Sequence, residues 1–281
     1  MPRLRDLAEL VRAPAALSVP GDTVAGAVAA GSLGPATPGL VAASVCLYWS
    51  GMAANDWADR ELDARERPER PLPSGRVSPA QALAVAVGLT AAGLGLAALA
   101  GGRRASAVAL PLAGAVWAYD LRAKNTRAGP AVMAACRGLD VLLGASGGRV
   151  TRALPAALTV AAHTYTVTAL SRREVSGGDP VLPAATLAGT AAVASSAVGG
   201  RWRGLAGALA AWYAIRYGAA QARAAVDPSP GRLRAAVGAG ITGLPPLQGA
   251  LAARAGSPAA GLAVAAAAPL ARRLARVVSP T

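Results

Sequence analysis

Long apolar stretches separated by short charged breaks set the pattern of the chain. Residues 23–55, 77–102 and 180–200 carry no Asp, Glu, Lys or Arg. A helix crossing the hydrocarbon core of a bilayer needs roughly 20 predominantly apolar residues, and each stretch reaches that length. Ten apolar segments can be delimited, at 14–33, 38–57, 79–101, 105–121, 129–147, 152–171, 180–200, 202–222, 232–252 and 257–275. Ala and Leu dominate them and no period-two alternation appears, so helix is the expected element. Gly and Ala recur at spacings that permit close helix approach, but in so Ala-rich a chain such matches arise by chance. The pattern predicts an all-α fold: a polytopic transmembrane helical bundle of nine or ten helices, forming a single domain over residues 1–281.

Composition sharpens this picture. The 281 residues are 54% hydrophobic and only 15% charged, against about 25% charged in ordinary soluble domains. A soluble enzyme, a disordered chain and a disulfide scaffold are thereby excluded. The net charge of +14 does not point to nucleic acid, because the Arg residues sit in breaks between apolar segments and form no basic face. Cys46 and Cys136 lie far apart inside apolar segments and suggest neither a metal site nor a disulfide. Arg3, Arg5, Asp6 and Glu9 crowd the N-terminus, and no cleavable signal peptide is evident. When alternate loops are assigned to opposite sides, 20 Lys and Arg fall on the N-terminal side and 7 on the other. The bias predicts a multi-pass protein of the cell inner membrane with the N-terminal side in the cytoplasm. Both acidic clusters, 56–69 and 174–179, fall on that same side. Arg216 and Arg223 interrupt the 202–252 region, which leaves room for nine spans and one re-entrant or interfacial helix.

Candidate chemistry begins at the end of the second segment, which reads Asn55-Asp56-Trp57-Ala58-Asp59-Arg60-Glu61-Leu62-Asp63. Asp56, Asp59 and Asp63 stand at i, i+3 and i+7, on one face of a helix. Three carboxylates on one face repel unless a cation lies between them. Mg²⁺ suits such a site, taking one or two carboxylates together with phosphate oxygens. Six acidic residues and five Arg within 56–76 could hold metal and diphosphate together. A solvated helix extension laced with Asp–Arg pairs is the alternative.

The pattern Asn-Asp-x-x-Asp-x-x-x-Asp, followed by Arg67-Pro68-Glu69-Arg70-Pro71-Leu72-Pro73-Ser74-Gly75, resembles the UbiA superfamily of intramembrane prenyltransferases. The resemblance implies that the Asp motif binds Mg²⁺ and a prenyl diphosphate, with Arg67 and Arg70 in the adjoining cytoplasmic loop. Tyr119 to Thr126 looks like the family's Tyr-x-x-x-x-Lys-x-Thr element, in which Lys124, the only Lys of the chain, would contact diphosphate beside Tyr119 and Arg122. The second acidic element of the family is shortened here. Arg173-Glu174-Val175 matches its start, but the Asp pair is missing and Glu174 and Asp179 are the only candidate ligands. This shortening resembles the EboC-like branch of UbiA homologues.

The implied activity is Mg²⁺-dependent transfer of a prenyl group from a prenyl diphosphate to an unidentified small acceptor within the bilayer, with no nucleic-acid partner. Asp56, Asp59, Asp63 and Glu174 would be catalytic; Asn55, Arg67, Arg70, Tyr119, Arg122, Lys124, Arg173 and Asp179 would bind substrate. A non-catalytic UbiA-like membrane protein that binds or carries an isoprenoid or lipid is the alternative. A secondary transporter would show an internal repeat, and none is visible. Trp57, Trp117, Tyr119 and Tyr165 offer aromatic faces near the same side, either to shield a carbocation or to anchor the interface. Arg137 and Asp140, inside a segment, suggest either function or an internal ion pair. Asp22 could face a cavity or stabilise a helix N-terminus, and the lone His163 is expected to be a packed polar group.

Overall fold

A computed structural model describes residues 3–274, so Arg276 of the charge count lies outside the described residues. Every element is helical, and no strand occurs among the described residues. The helices are α1 (Leu4–Leu10), α2 (Pro20–Ala30), α3 (Thr37–Ala58), α4 (Arg60–Glu66), α5 (Pro79–Ala118) and α6 (Gly129–Gly144). They continue with α7 (Val150–Ser171), α8 (Val181–Ala197), α9 (Arg203–Val226), α10 (Pro230–Arg254), α11 (Pro258–Ala265) and α12 (Ala267–Leu274).

Helix α5 contains two of the expected segments. Its backbone breaks at Gly102, with φ 60° and ψ −150°, a conformation that glycine alone adopts readily. The two halves then run back alongside each other, since the Trp117 Nε1–H donates to Thr90 Oγ1 at 3.0 Å. Ser78 starts the element with a capping box, accepting from the Gln81 amide while its own amide is bound by the Gln81 side chain. Two stretches, Pro79–Ala123 and Val150–Ser171, are both long and apolar enough to cross a membrane; the first is folded into this hairpin. Helix α9 runs unbroken through Arg216 and Arg223, which are both exposed.

The last segment, 257–275, forms the helical stretch Pro258–Leu274 with a turn at Ala266, whose backbone stays near the α-helical region; residue 275 lies outside the described residues. Helix α1, too short and charged for the apolar pattern to reveal, precedes the first segment. Arg76 holds it, its guanidinium donating to Glu9 at 2.7 and 2.9 Å and to Asp6 at 2.9 Å.

Three apolar clusters support the bundle. Leu40, Leu47, Leu112 and Leu143 join α3, α5 and α6. Val160, Tyr213, Tyr217 and Leu247 join α7, α9 and α10. Leu10, Leu72 and Val77 pin α1 and the 67–77 loop beneath it. Helices α2 and α6 cross closely enough that a Cβ on Gly144 would strike the Thr23 carbonyl oxygen, and one on Gly26 the Val141 carbonyl oxygen. The small residues therefore do act at this crossing, letting the two backbones touch.

Candidate active site

A cavity of about 450 Å³ opens among α3, α5, α6, α7 and α10. Leu47, Leu112, Val116, Val167, Ile241 and Leu244 form its apolar walls. Charged side chains from the segment after α1, the end of α3, α4, the 67–77 loop and the end of α7 surround its mouth, where a second pocket of about 390 Å³ adjoins.

The three aspartates do not share one continuous helix. Helix α3 ends at Ala58 and α4 begins at Arg60, with Asp59 between them at φ −90° and ψ 4°. Each carboxylate meets a cation. Asp56 Oδ1 accepts from Arg12 Nη2 at 2.9 Å and from Arg70 Nη1 at 3.5 Å. Arg70 Nη1 also donates to Asp63 Oδ2 at 2.8 Å, and Lys124 Nζ lies 2.6 Å from Asp59 Oδ1. Among the described residues, no three carboxylate, thiol or imidazole groups converge as a ready metal cage. The oxygen donors around the mouth nevertheless suit a hard divalent ion carrying phosphate oxygens, and Glu174 Oε2 is buried there without a partner.

Local sequence explains these positions. Gly75 takes φ +73°, closing the turn in which the Ser74 hydroxyl donates to the Arg70 carbonyl at 2.6 Å. Buried Leu72 anchors that loop, so Arg70 is delivered between Asp56 and Asp63. Tyr119 opens a π-helical turn, Tyr119–Ala123, which carries Lys124 to Asp59. Asn55 Nδ2 donates to Asp120 Oδ1 at 3.2 Å across this junction.

Of the expected site residues, Asn55, Asp59, Asp63, Arg67, Arg70, Tyr119 and Glu174 line the cavity. Asp56 lines the adjoining pocket with Glu174, and Lys124 reaches the group through Asp59. Burial raises the Glu174 carboxyl pKa, while Arg234 and Arg67 draw it back down. Three residues stand elsewhere. Arg122 and Arg173 are exposed and absent from the cavity lining. Asp179 instead caps α8, its Oδ1 accepting from the Val181 and Leu182 amides at 2.9 and 3.3 Å. Free amides at a helix start attract a carboxylate strongly, which removes Asp179 from the cavity. Among the aromatics, Tyr119 lines the cavity, whereas Trp57 stacks under Arg60 at 5.1 Å, Trp117 bonds Thr90 and Tyr165 is exposed.

Sequence reasoning missed Arg12, Tyr48 and Asp120, which also line the cavity. Arg12 looked like one more cytoplasmic-side charge, and only its approach to Asp56 distinguishes it. Asp120 carried a usable signal: an acidic residue ending an apolar segment on the side of the Asp motif. Deeper in, Arg137 pairs not with Asp140, as its segment suggested, but with Asp22, its Nε 2.8 Å from Asp22 Oδ2, while Asp140 accepts from Ser44 Oγ. His163 is packed as expected, its Nδ1 hydrogen-bonded to the Tyr213 hydroxyl at 2.9 Å, and its ring also borders the cavity.

Comparison with known proteins places this geometry. Residues 21–217 match the UbiA prenyltransferase family. A digeranylgeranylglyceryl phosphate synthase of Methanopyrus kandleri is 41% identical over 128 residues, 44% of this chain and 45% of that protein. The synthase of the same name from Natronomonas pharaonis is 43% identical over 93 residues, 32% of this chain and 34% of its own length. The matched part of the chain thus spans less than half the length of these relatives. In overall fold the chain resembles a solved digeranylgeranylglyceryl phosphate synthase structure with a TM-score of 0.66 at 17% identity, over 90% of this chain and 98% of that one. The motif-bearing helix ends, the cavity they enclose and a family match covering most of the chain agree: this protein belongs to the UbiA prenyltransferase family.

Proposed function

We propose that this protein transfers a prenyl group from a prenyl diphosphate to a small acceptor inside the membrane. One observation carries the reading: Asp56, Asp59, Asp63 and Glu174 meet Arg12, Arg67, Arg70 and Lys124 around the mouth of one apolar-walled cavity. The relatives named above are prenyl-transferring enzymes by name, which supports the reaction class. The multi-pass character of the family and the charge bias support an inner-membrane protein with this mouth toward the cytoplasm.

Each group has a part in this reading. Asp56, Asp59 and Asp63 would hold Mg²⁺, which when bound neutralises charge on the diphosphate. Arg12, Arg70 and Lys124 already face these carboxylates and would share their N–H groups with phosphate oxygens. Arg67 and Glu174 line the same mouth. The prenyl C1–O bond breaks with its electron pair leaving on the diphosphate, and C1 bonds to the acceptor, whose displaced proton passes to the released diphosphate. Fixed cations at the leaving group favour that ionisation without reorganisation, while the apolar walls keep water from the cation.

The test is incubation of purified protein with labelled prenyl diphosphates, Mg²⁺ and a lipid extract, read by release of inorganic diphosphate and mass spectrometry of new lipids. Wild type should yield a prenylated product, and Asp56→Ala or Asp59→Ala should lose Mg²⁺-dependent donor binding while remaining folded. Absence of donor binding in wild type sinks the reading. A second reading, a non-catalytic isoprenoid carrier, is favoured by the use of Asp179 as a helix cap, which leaves Glu174 alone in the second acidic element. Donor binding with no product from any extract would establish it.

A further inference from the structure

The cavity is closed at its inner end, and the closure lies at a definite depth. Its lining stops partway along every wall helix: at Ser44 on α3, Leu112 on α5, Asp140 on α6, His163 on α7 and Leu244 on α10. One turn further on, Leu40, Ala109, Leu143, Val160 and Leu247 are each 2% exposed or less and pack in the core clusters. The polar groups at this level are spent on one another. Ser44 Oγ donates to Asp140 Oδ2 at 2.8 Å and ties α3 to α6. His163 Nδ1 and the Tyr213 hydroxyl, hydrogen-bonded at 2.9 Å, tie α7 to α9. Arg137 Nη2 donates to the Ser18 carbonyl at 3.0 Å. A chain end pushed deeper would have to part close-packed side chains or break a buried hydrogen bond, and either is costly.

Depth and volume both convert to a length of prenyl chain. Ser44 precedes Asp56 by 12 residues on α3, about 18 Å along the helix axis. With the diphosphate held at the Asp motif, the tail runs down this distance toward the floor. An extended chain advances about 1.2 Å per bond, as the polypeptide does at about 3.6 Å per three bonds, so the four bonds of one isoprene unit take about 5 Å. The depth therefore holds between three and four units. Benzene, with six carbons, occupies an apolar cavity of about 150 Å³. At that density the cavity of about 450 Å³ holds roughly 18 carbons, again between three and four units of five carbons. Two separate measures thus agree on one size.

We propose that the closed floor is a ruler: the donor is a prenyl diphosphate of no more than four isoprene units, and Leu112 and Leu244 are the residues that set the limit. The proposal rests on the prenyl-transfer reading and adds the size class of its donor. The charged groups of the mouth carry no such information, because they face the diphosphate, which every donor shares.

The experiment uses the full chain in nanodiscs with Mg²⁺ and prenyl thiolodiphosphates of two, three, four, six and nine units, compared at equal mole fraction in the bilayer. Binding is read by competition with a labelled three-unit analogue, and product formation from the matching diphosphates is read separately. Affinity should peak at three or four units and fall about tenfold or more at six and nine, where part of the tail finds no apolar space to fill. Leu244→Trp, which fills the floor, should weaken four-unit binding about tenfold more than two-unit binding. Leu112→Trp should act in the same way and serves if the first variant does not fold; two-unit binding reports that a variant is folded. Six- and nine-unit donors bound as tightly as four, or Trp variants whose effect does not depend on length, overturn the ruler, since the tail then leaves the cavity sideways into lipid; the prenyl-transfer reading survives that result. No binding at any length removes both. A length limit in binding with no product from any donor leaves the ruler standing and removes catalysis.

Discussion

Arg12 occupies a left-handed backbone conformation, φ 46° and ψ 51°, the only non-glycine residue with positive φ among the described residues. That conformation costs an ordinary side chain roughly 1–2 kcal/mol. It turns the chain out of α1 into the short 3-10 helix Ala13–Ser18 and aims the guanidinium at Asp56. Two substitutions separate the backbone cost from the side chain's service. Arg12→Ala and Arg12→Gly should both weaken prenyl diphosphate binding, by about tenfold for a lost charge-assisted contact. The Gly variant should be the more stable of the two by about 1 kcal/mol, since glycine accepts this φ freely. Equal melting temperatures would show that the conformation stores no strain, and unchanged donor affinity would remove Arg12 from the site. Little of this was legible in the sequence. The Asp spacing was visible, but the partners of Asp56, Asp59 and Asp63 come from positions 12, 70 and 124, and local pattern carries no record of such distant pairings.

Among the elements, α1 borders the pocket at the mouth through Glu9 and acts as a strap on the 67–77 loop. Its hold is ionic: the Arg76 guanidinium hydrogen-bonds Glu9 and Asp6, and its Nη2 donates to the Glu69 carbonyl at 2.7 Å. These contacts lower the Asp6 carboxyl from its ordinary pKa of 3.8 and the Glu9 carboxyl from 4.5, Arg76 being the leading cause in both. Groups lowered in the folded state stabilise it fully above those ordinary values, and the stabilisation is lost as pH falls through the depressed ones. Amide exchange in residues 4–12 should therefore be slow from neutral pH to about 5, after correction for intrinsic rates, and accelerate below about 4. Arg76→Ala should give fast exchange in this helix already at pH 7, with α3 and α7 still protected. A strap as protected in the variant as in wild type would show that Leu10 and its apolar neighbours hold it instead. The apolar pattern found the long helices because their periodicity is continuous. It could not find a seven-residue charged helix whose stability comes from a residue 67 positions away.

For the whole molecule, sidedness is the testable property. The 58–78, 122–128 and 172–179 loops all surround one mouth, with the Arg172 guanidinium donating to the Thr126 carbonyl. The hairpin turn of α5 at Gly102 lies at the other end. Cysteine introduced at Ser74 and at Ser176 should be labelled by an impermeant thiol reagent from the same face of a sealed vesicle. Cysteine at Ser106 should be labelled only from the opposite face. Reaction of Ser74 and Ser176 positions from different faces would break the helix order proposed above.

Composition and periodicity by themselves determined that this chain is all helical, where nearly all its long helices run, and which carboxylates and basic residues end them. Those features are local: burying an uncharged run needs internal hydrogen bonding, and that requirement acts on each segment alone. The family motifs were legible for the same reason, since Asp56 to Asp63 and Arg67 to Gly75 are contiguous. Tertiary structure alone decided which of these groups meet. It spent Asp179 on capping α8 and left Arg122 and Arg173 outside the cavity. It also joined Asp22 to Arg137 and Ser44 to Asp140 across three helices, because contact across a bundle depends on helix crossings such as Gly26 and Gly144 permit, and no single segment encodes a crossing.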